Sequence, residues 1–118
     1  MKVIIAGSRG FSDYNRMKKE LDVLFSKTDK NIIEIVSGTA GGADKLGEKY
    51  ANENGIKLMK MPADWNGLGK KAGYVRNEDM AKYADACVVF WDGESKGSKH
   101  MIDLAKKHEL KLRVISYI

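Results

Sequence analysis

Short apolar runs and longer amphipathic stretches alternate along this chain. Lys2-Val-Ile-Ile-Ala6 is a β-branched run that stops at Gly7-Ser8-Arg9-Gly10, the pattern of a strand ending in a turn. Met17, Leu21, Leu24 and Phe25 then recur at helical spacing, which predicts an amphipathic helix over about Tyr14 to Ser26. Glu34 to Ser37 reads as a second strand ending at Gly38-Thr-Ala-Gly-Gly42, with Ala43, Leu46 and Tyr50 marking a helix that closes before Gly55. Lys57 to Met61 alternates polar and apolar as a third strand, stopped by Pro62. Ala63 to Gly73 reads as the longest irregular stretch, and Val75, Asp79, Met80 and Tyr83 place a helix over about Ala72 to Ala84.

Asp85 to Trp91 is the most apolar run, as expected of a strand buried on both faces. Gly93 to Gly97 turns it into a helix carrying Met101, Leu104, Ala105 and His108, and Lys111 to Ile115 is the last strand. Five strands alternating with four helices predict one α/β domain over residues 1–118, a Rossmann-like three-layer sandwich around a parallel sheet. Right-handed crossovers favour the strand order 3-2-1-4-5, with the flavodoxin-like order 2-1-3-4-5 as the alternative.

That sheet tells us where to look for chemistry. Ligands of such folds bind outside the carboxyl ends of the strands, where the strand order reverses. In the order 3-2-1-4-5 the loops after the first, second and fourth strands meet there, and all three are glycine-rich. In the first loop, Gly7, Ser8 and Arg9 follow the strand, and arginine suits bidentate contact with phosphate or carboxylate. The second loop presents Gly38, Thr39, Gly41, Gly42 and Asp44 at a helix start, where free N–H groups and the helix dipole attract phosphate. Asp44 either stabilises that helix as a first-turn acid or holds a ligand hydroxyl. The fourth loop repeats the arrangement with Asp92, Gly93, Ser95, Gly97 and Ser98. Ser95 and Ser98 are helix caps or ligand donors, and Asp92 could accept from ribose hydroxyls. Arg76 and Asn77, near a helix start, could reach an anion or serve a cap or ion pair.

Composition narrows the class without choosing a ligand. The chain is 43% apolar and 31% charged, an ordinary globular balance. Its 21 Lys and Arg against 16 Asp and Glu leave a net charge of +5, which favours anionic partners. The single cysteine, Cys87, cannot pair within the chain and reads as a core residue in a reducing compartment. With no signal-peptide pattern and no apolar run near the roughly 20 residues needed to span a membrane, a soluble cytoplasmic protein is expected. His100 and His108 lack partners at ligand spacing, so no metal and no cofactor is expected. Trp91 reads as packing, and Trp65, in a long loop, as a base-stacking surface, lid or subunit contact.

The ordered set Gly7-Ser-Arg-Gly-Phe11, Ser37-Gly-Thr-Ala-Gly-Gly-Ala-Asp44, Pro62-Ala-Asp-Trp65, Arg76-Asn77 and Phe90-Trp-Asp-Gly-x-Ser-x-Gly97 resembles the YspA-like branch of the SLOG superfamily, over nearly the whole chain. That superfamily groups the DNA-processing protein Smf/DprA with LOG-type enzymes. The resemblance implies a bacterial or phage protein with a Rossmann-like sheet and a pocket for nucleotides or nucleotide-derived ligands. Carried over residue by residue, that pocket is lined by Gly7, Ser8, Arg9, Gly38, Gly41, Gly42, Asp44, Asp92, Gly93, Ser95 and Gly97. It also implies a possible homodimer. The glutamate of the LOG motif Pro-Gly-Gly-x-Gly-Thr-x-x-Glu has no evident counterpart in Asp92 to Ser98, so the phosphoribohydrolase reaction is not expected to carry over.

Three functions follow as expectations. The first is binding of a nucleotide-derived phosphorylated molecule, for sensing or sequestration. The second is a nucleotide-processing hydrolase with Asp44 or Asp92 as its acid or base. The third, with nucleic acid as a less favoured partner, is a DprA-like binder of single strands.

Overall fold

A computed structural model describes residues 1–117. Each β-branched run forms a strand: β1 Lys2–Gly7, β2 Glu34–Ser37, β3 Lys57–Lys60, β4 Ala86–Trp91 and β5 Lys111–Ser116. All neighbours pair in parallel, in the order β3-β2-β1-β4-β5, so the flavodoxin-like alternative does not apply. In register, Ile4 lies opposite Val36 on one side and Cys87 on the other.

Strand alternation divides the core in two. Val3 and Ile5 of β1, with Val88 and Phe90 of β4, face helices α1 (Tyr14–Leu24) and α2 (Ala43–Glu53), which add Met17, Leu21, Tyr50 and Ala51. Ile4 and Ala6, with Cys87 and Val89, face α4 (Ala72–Tyr83) and α5 (Lys96–Lys107), which add Met80, Ala81, Met101 and Leu104. Phe11, just past β1, stacks on Phe90 with ring centroids 4.9 Å apart and seals one end of the first core. Cys87 is fully buried, and burial pushes its thiol up to about 12, so it is an inert core group.

The departures from expectation are local. α1 stops at Leu24 rather than Ser26, because the Phe25 N–H closes the last turn on Leu21 and the Ser26 hydroxyl donates to the Val23 carbonyl. α5 ends at Lys107, leaving His108 as its cap, where it bonds Glu78 at 3.0 Å. The stretch after Pro62 holds structure of its own: α3 (Trp65–Leu68) and a 3-10 turn (Gly69–Lys71), so there are five α-helices rather than four among the described residues. α3 starts because the Asp64 carboxylate accepts from the Gly67 N–H at 2.9 Å, an N-cap on a helix too short to show a period. Among the described residues no helix is long and apolar enough to cross a membrane.

β1, β2 and β3 step one way across the sheet, and β4 and β5 step the other. The reversal lies between β1 and β4, and α2, α4 and α5 all begin at that carboxyl edge. The fold therefore brings the amino ends of α2 and α5, with Arg76, Asn77 and Met80 of α4, to one crevice.

Candidate functional site

Ser8 ties the loops of this crevice together. Its N–H donates to the Phe90 carbonyl (2.9 Å), and its own carbonyl accepts from the N–H groups of Phe11 (3.1 Å) and Ala43 (3.3 Å). Its hydroxyl accepts from the Asp92 N–H at 3.1 Å, so one buried serine joins the loops after β1, β2 and β4. Two glycines permit this closeness. A side chain on Gly7 would strike the Phe90 carbonyl, and Gly42, at φ +69°, sits against the carbonyls of Ser8 and Arg9.

The loop after β2 is held from beneath. The buried Ser37 hydroxyl donates to Glu48 Oε2 at 2.6 Å and accepts from the Thr39 N–H at 3.0 Å. Thr39 is thereby kept at φ +65°, which a β-branched residue rarely adopts. Asp44, in the first turn of α2, accepts from the Ala40 N–H at 3.1 Å through Oδ2. Arg76 reaches across from α4, donating from Nη1 to the Gly38 carbonyl and from Nε to Asn77 Oδ1 at 2.9 Å. The place a Gly38 side chain would fill lies 2.6 Å from Arg76 Nη1 and 2.9 Å from Asp44 Oδ2, so Gly38 makes room for both groups.

The loop after β4 is shaped by Asp92, whose Oδ1 accepts from the N–H groups of Glu94 and Ser95, each at 2.8 Å. Ser95 caps α5 by accepting from the Ser98 N–H at 3.4 Å, and Trp91 Nε1 donates to the Ser95 carbonyl at 3.1 Å.

These loops enclose an open cleft of about 430 Å³. Its polar walls come from Ser8, Arg9, Asp44, Arg76, Asn77, Asp92, Ser95 and Ser98, its floor from Ala6, Met80 and Met101. Burial pushes the Asp44 carboxyl up to about 6, a rise that the Ala40 N–H and the Arg76 charge only partly oppose. Burial also lowers Arg76 from the usual arginine value, and Arg9 acts in the same sense. Asp92 goes the other way, held below the usual carboxylate range by the Ser95 and Glu94 N–H groups. Among the described residues neither Arg9 nor Arg76 has a carboxylate within 4.0 Å, and no group of three His, Cys, Asp or Glu side chains could hold a metal ion.

A family model described as YspA, cpYpsA-related SLOG family matches residues 1–67, taking in the loops after β1 and β2. The Gene 61 protein of Mycobacterium phage D29 is 32% identical over 112 residues, covering 90% of this chain and 89% of that protein. The chain belongs to the YspA, cpYpsA-related SLOG family. Solved structures share its fold at 21% identity. DNA processing protein A from Streptococcus pneumoniae has a TM-score of 0.80 over 99% of this chain. The Helicobacter pylori protein, solved to examine its single-stranded DNA binding mode, has a TM-score of 0.74 over 100% of it. The chain spans 50% and 66% of those two structures' lengths.

In this SLOG domain the residues singled out from the sequence divide into two sets. Gly7, Ser8, Arg9, Asp44, Arg76, Asp92, Ser95, Gly97 and Ser98 line the cleft. Gly38, Thr39, Gly41, Gly42 and Gly93 do not. Gly38 is buried behind Arg76, Gly42 supports the β1 loop, Gly93 turns the chain at φ +84°, and Gly41 is exposed. Gly10, Ala40, Met80 and Met101 line the cleft without having been singled out. The two methionines carry the spacing of ordinary core residues, so nothing in the sequence separates a cleft floor from a core.

Proposed function

We propose that the cleft binds a nucleotide-derived ligand through its phosphate. The observation that carries this reading is a pair of guanidinium groups, Arg9 and Arg76, opening onto one polar cleft without a carboxylate partner within 4.0 Å among the described residues. Arg9 thereby keeps its donors for a bidentate anion, and Arg76 keeps those not bonded to Gly38 and Asn77. The amino end of α5, where Gly97 lines the cleft, adds a favourable dipole on the same side, although the Ser95 and Ser98 N–H groups are taken by Asp92 and by the Ser95 hydroxyl.

Binding is favoured over hydrolysis because both candidate carboxylates are engaged in shaping loops. Asp92 is ionised and holds two backbone N–H groups, a poor arrangement for a general acid. Asp44 has a carboxyl poised near neutrality, yet one of its oxygens already holds Ala40. Calorimetric titration with AMP, ADP and a pyrophosphate-linked dinucleotide tests the reading. Saturable binding that Arg9→Ala weakens is the expected result, and no heat or thermal shift with any of the three would refute it.

A second reading, binding of single-stranded DNA, is favoured by the structural likeness to the Helicobacter pylori protein and by the net charge of +5. It requires affinity for an oligothymidylate that falls steeply with salt, as counterion release demands. A salt-insensitive or undetectable interaction removes it.

A further inference from the structure

The first turns of α4 lead out of the cleft along a single stripe. Gly73, Asn77 and Met80 are spaced i, i+4 and i+7, so they lie one above another on one helix face. Exposure rises along it: Met80 is 2% exposed, Asn77 is 7% exposed, and Gly73 is half-buried. Because α4 begins at the carboxyl edge of the sheet, that direction runs from the cleft floor to its mouth. At the top stands Trp65, with ring atoms Cη2 and Cζ2 only 3.4 and 3.9 Å from where a Gly73 side chain would begin. Gly73 thus leaves room for the benzo edge of the indole against the helix. The ring is nevertheless 53% exposed, and Asp64, which caps α3, fixes the turn that carries it.

An indole whose benzo edge rests on the helix while more than half of the residue stays exposed keeps ring surface available to a ligand. Its seat, Gly73, lies one helical turn from Asn77, a cleft-lining residue of the same helix. The geometry points to Trp65 as a stacking platform for the base of a nucleoside phosphate whose phosphate lies at Arg9 and Arg76. This inference rests on the phosphate-binding reading of the cleft and adds to it the chemical class of the ligand's other end. A phosphorylated sugar lacking an aromatic heterocycle would leave the platform unused.

Calorimetric titration of the full chain with AMP and with ribose 5-phosphate separates the two claims. Stacking of one base on an aromatic side chain predicts that AMP binds roughly 5- to 150-fold more tightly. Trp65→Ala should erase that gap and leave ribose 5-phosphate affinity unchanged, while Trp65→Phe keeps most of it. Tyr74→Ala, which removes the other exposed aromatic of this helix end, should keep the gap too. Equal affinity of the unaltered chain for the two compounds would overturn the platform and leave the phosphate site standing. A gap that survives Trp65→Ala would do the same. Binding of neither compound, nor of an oligothymidylate, would overturn both claims. The oligothymidylate shows whether a strand supplies the same base and phosphate: Trp65-dependent affinity greater than that for AMP would identify the strand as the source and still support the platform.

Discussion

Replacing Asp44 with asparagine should make this protein more stable at neutral pH. Asp44 is 5% exposed, and its carboxyl titrates near 6 instead of its ordinary 3.8. A tenfold change in proton affinity corresponds to about 1.4 kcal/mol, so keeping the folded carboxylate ionised costs about 3 kcal/mol. The sign follows from proton counting. Between pH 3.8 and 6 the folded chain binds more protons at this site than the unfolded chain does, so its contribution to stability falls as pH rises through that window. Above it the penalty is complete. Asparagine mimics the neutral acid, and its amide oxygen can still accept from the Ala40 N–H.

With an unfolding entropy of about 2 cal/mol/K per residue, 3 kcal/mol corresponds to about 12 °C in Tm for a chain of this length. Melting curves of the parent and Asp44→Asn from pH 4 to pH 8 should therefore coincide at the acid end and separate towards pH 8, with the variant higher. The opposite result has a clear meaning. If Asp44 and Arg76 formed a net stabilising ion pair, the variant would melt lower at pH 8, and the argument from burial would be wrong. The geometry favours the stated sign: Arg76 donates to the Gly38 carbonyl and Asn77 Oδ1 rather than to Asp44.

Three further outcomes test other parts of the cleft. Arg9→Ala should weaken nucleotide binding roughly 10- to 100-fold by calorimetry, the worth of one charge-assisted contact, while Tm stays within about 2 °C because Arg9 is exposed. A pyrophosphate diester, whose charge is constant from pH 5 to pH 8, should bind more tightly towards pH 5 as Asp44 takes up its proton, and Asp44→Asn should flatten that profile. Gly42→Ala places a side chain against the Ser8 and Arg9 carbonyls at φ +69° and should cost about 2 kcal/mol or more. A urea midpoint matching that of the parent would contradict the close approach described for that loop.

The fold was legible because its signals are independent and agree. Val3 to Ile5 and Cys87 to Phe90 are apolar on both faces, as central parallel strands must be, and charged Lys57 and Lys60 mark β3 as an edge. The reversal between β1 and β4 then places Ser8, Asp44 and Asp92 at one crevice from the strand order alone. Residues whose meaning depends on three-dimensional contact were not legible. Four-residue α3 has no period to detect. Met80 and Met101 sit at core spacing while flooring the cleft, and Thr39 is an ordinary threonine until its φ is known. The glycines misled in one respect: Gly38 and Gly42 are needed for backbone and side-chain clearance behind the loops, not for a surface along the cleft.

That last point bears on how the site works. A loop whose glycines all faced the ligand would be free to move when empty. Here three of them lock loops to one another: Gly7 under Phe90, Gly42 under Ser8 and Arg9, and Gly38 between Arg76 and Asp44. The carboxylates are committed in the same way, Asp92 to two N–H groups of its own loop and Asp44 to one of the preceding loop. Each carboxylate does so through a single oxygen, and the cleft also keeps the Arg9 side chain and the part of Arg76 not bonded to Gly38 and Asn77. A site with anchored acids and available guanidinium groups is suited to holding an anion in a preformed cradle, with little ordering left to oppose binding. The buried Asp44 charge adds a stability penalty that a purely structural cap would avoid, and until it takes up a proton that charge opposes a phosphate in the same cleft.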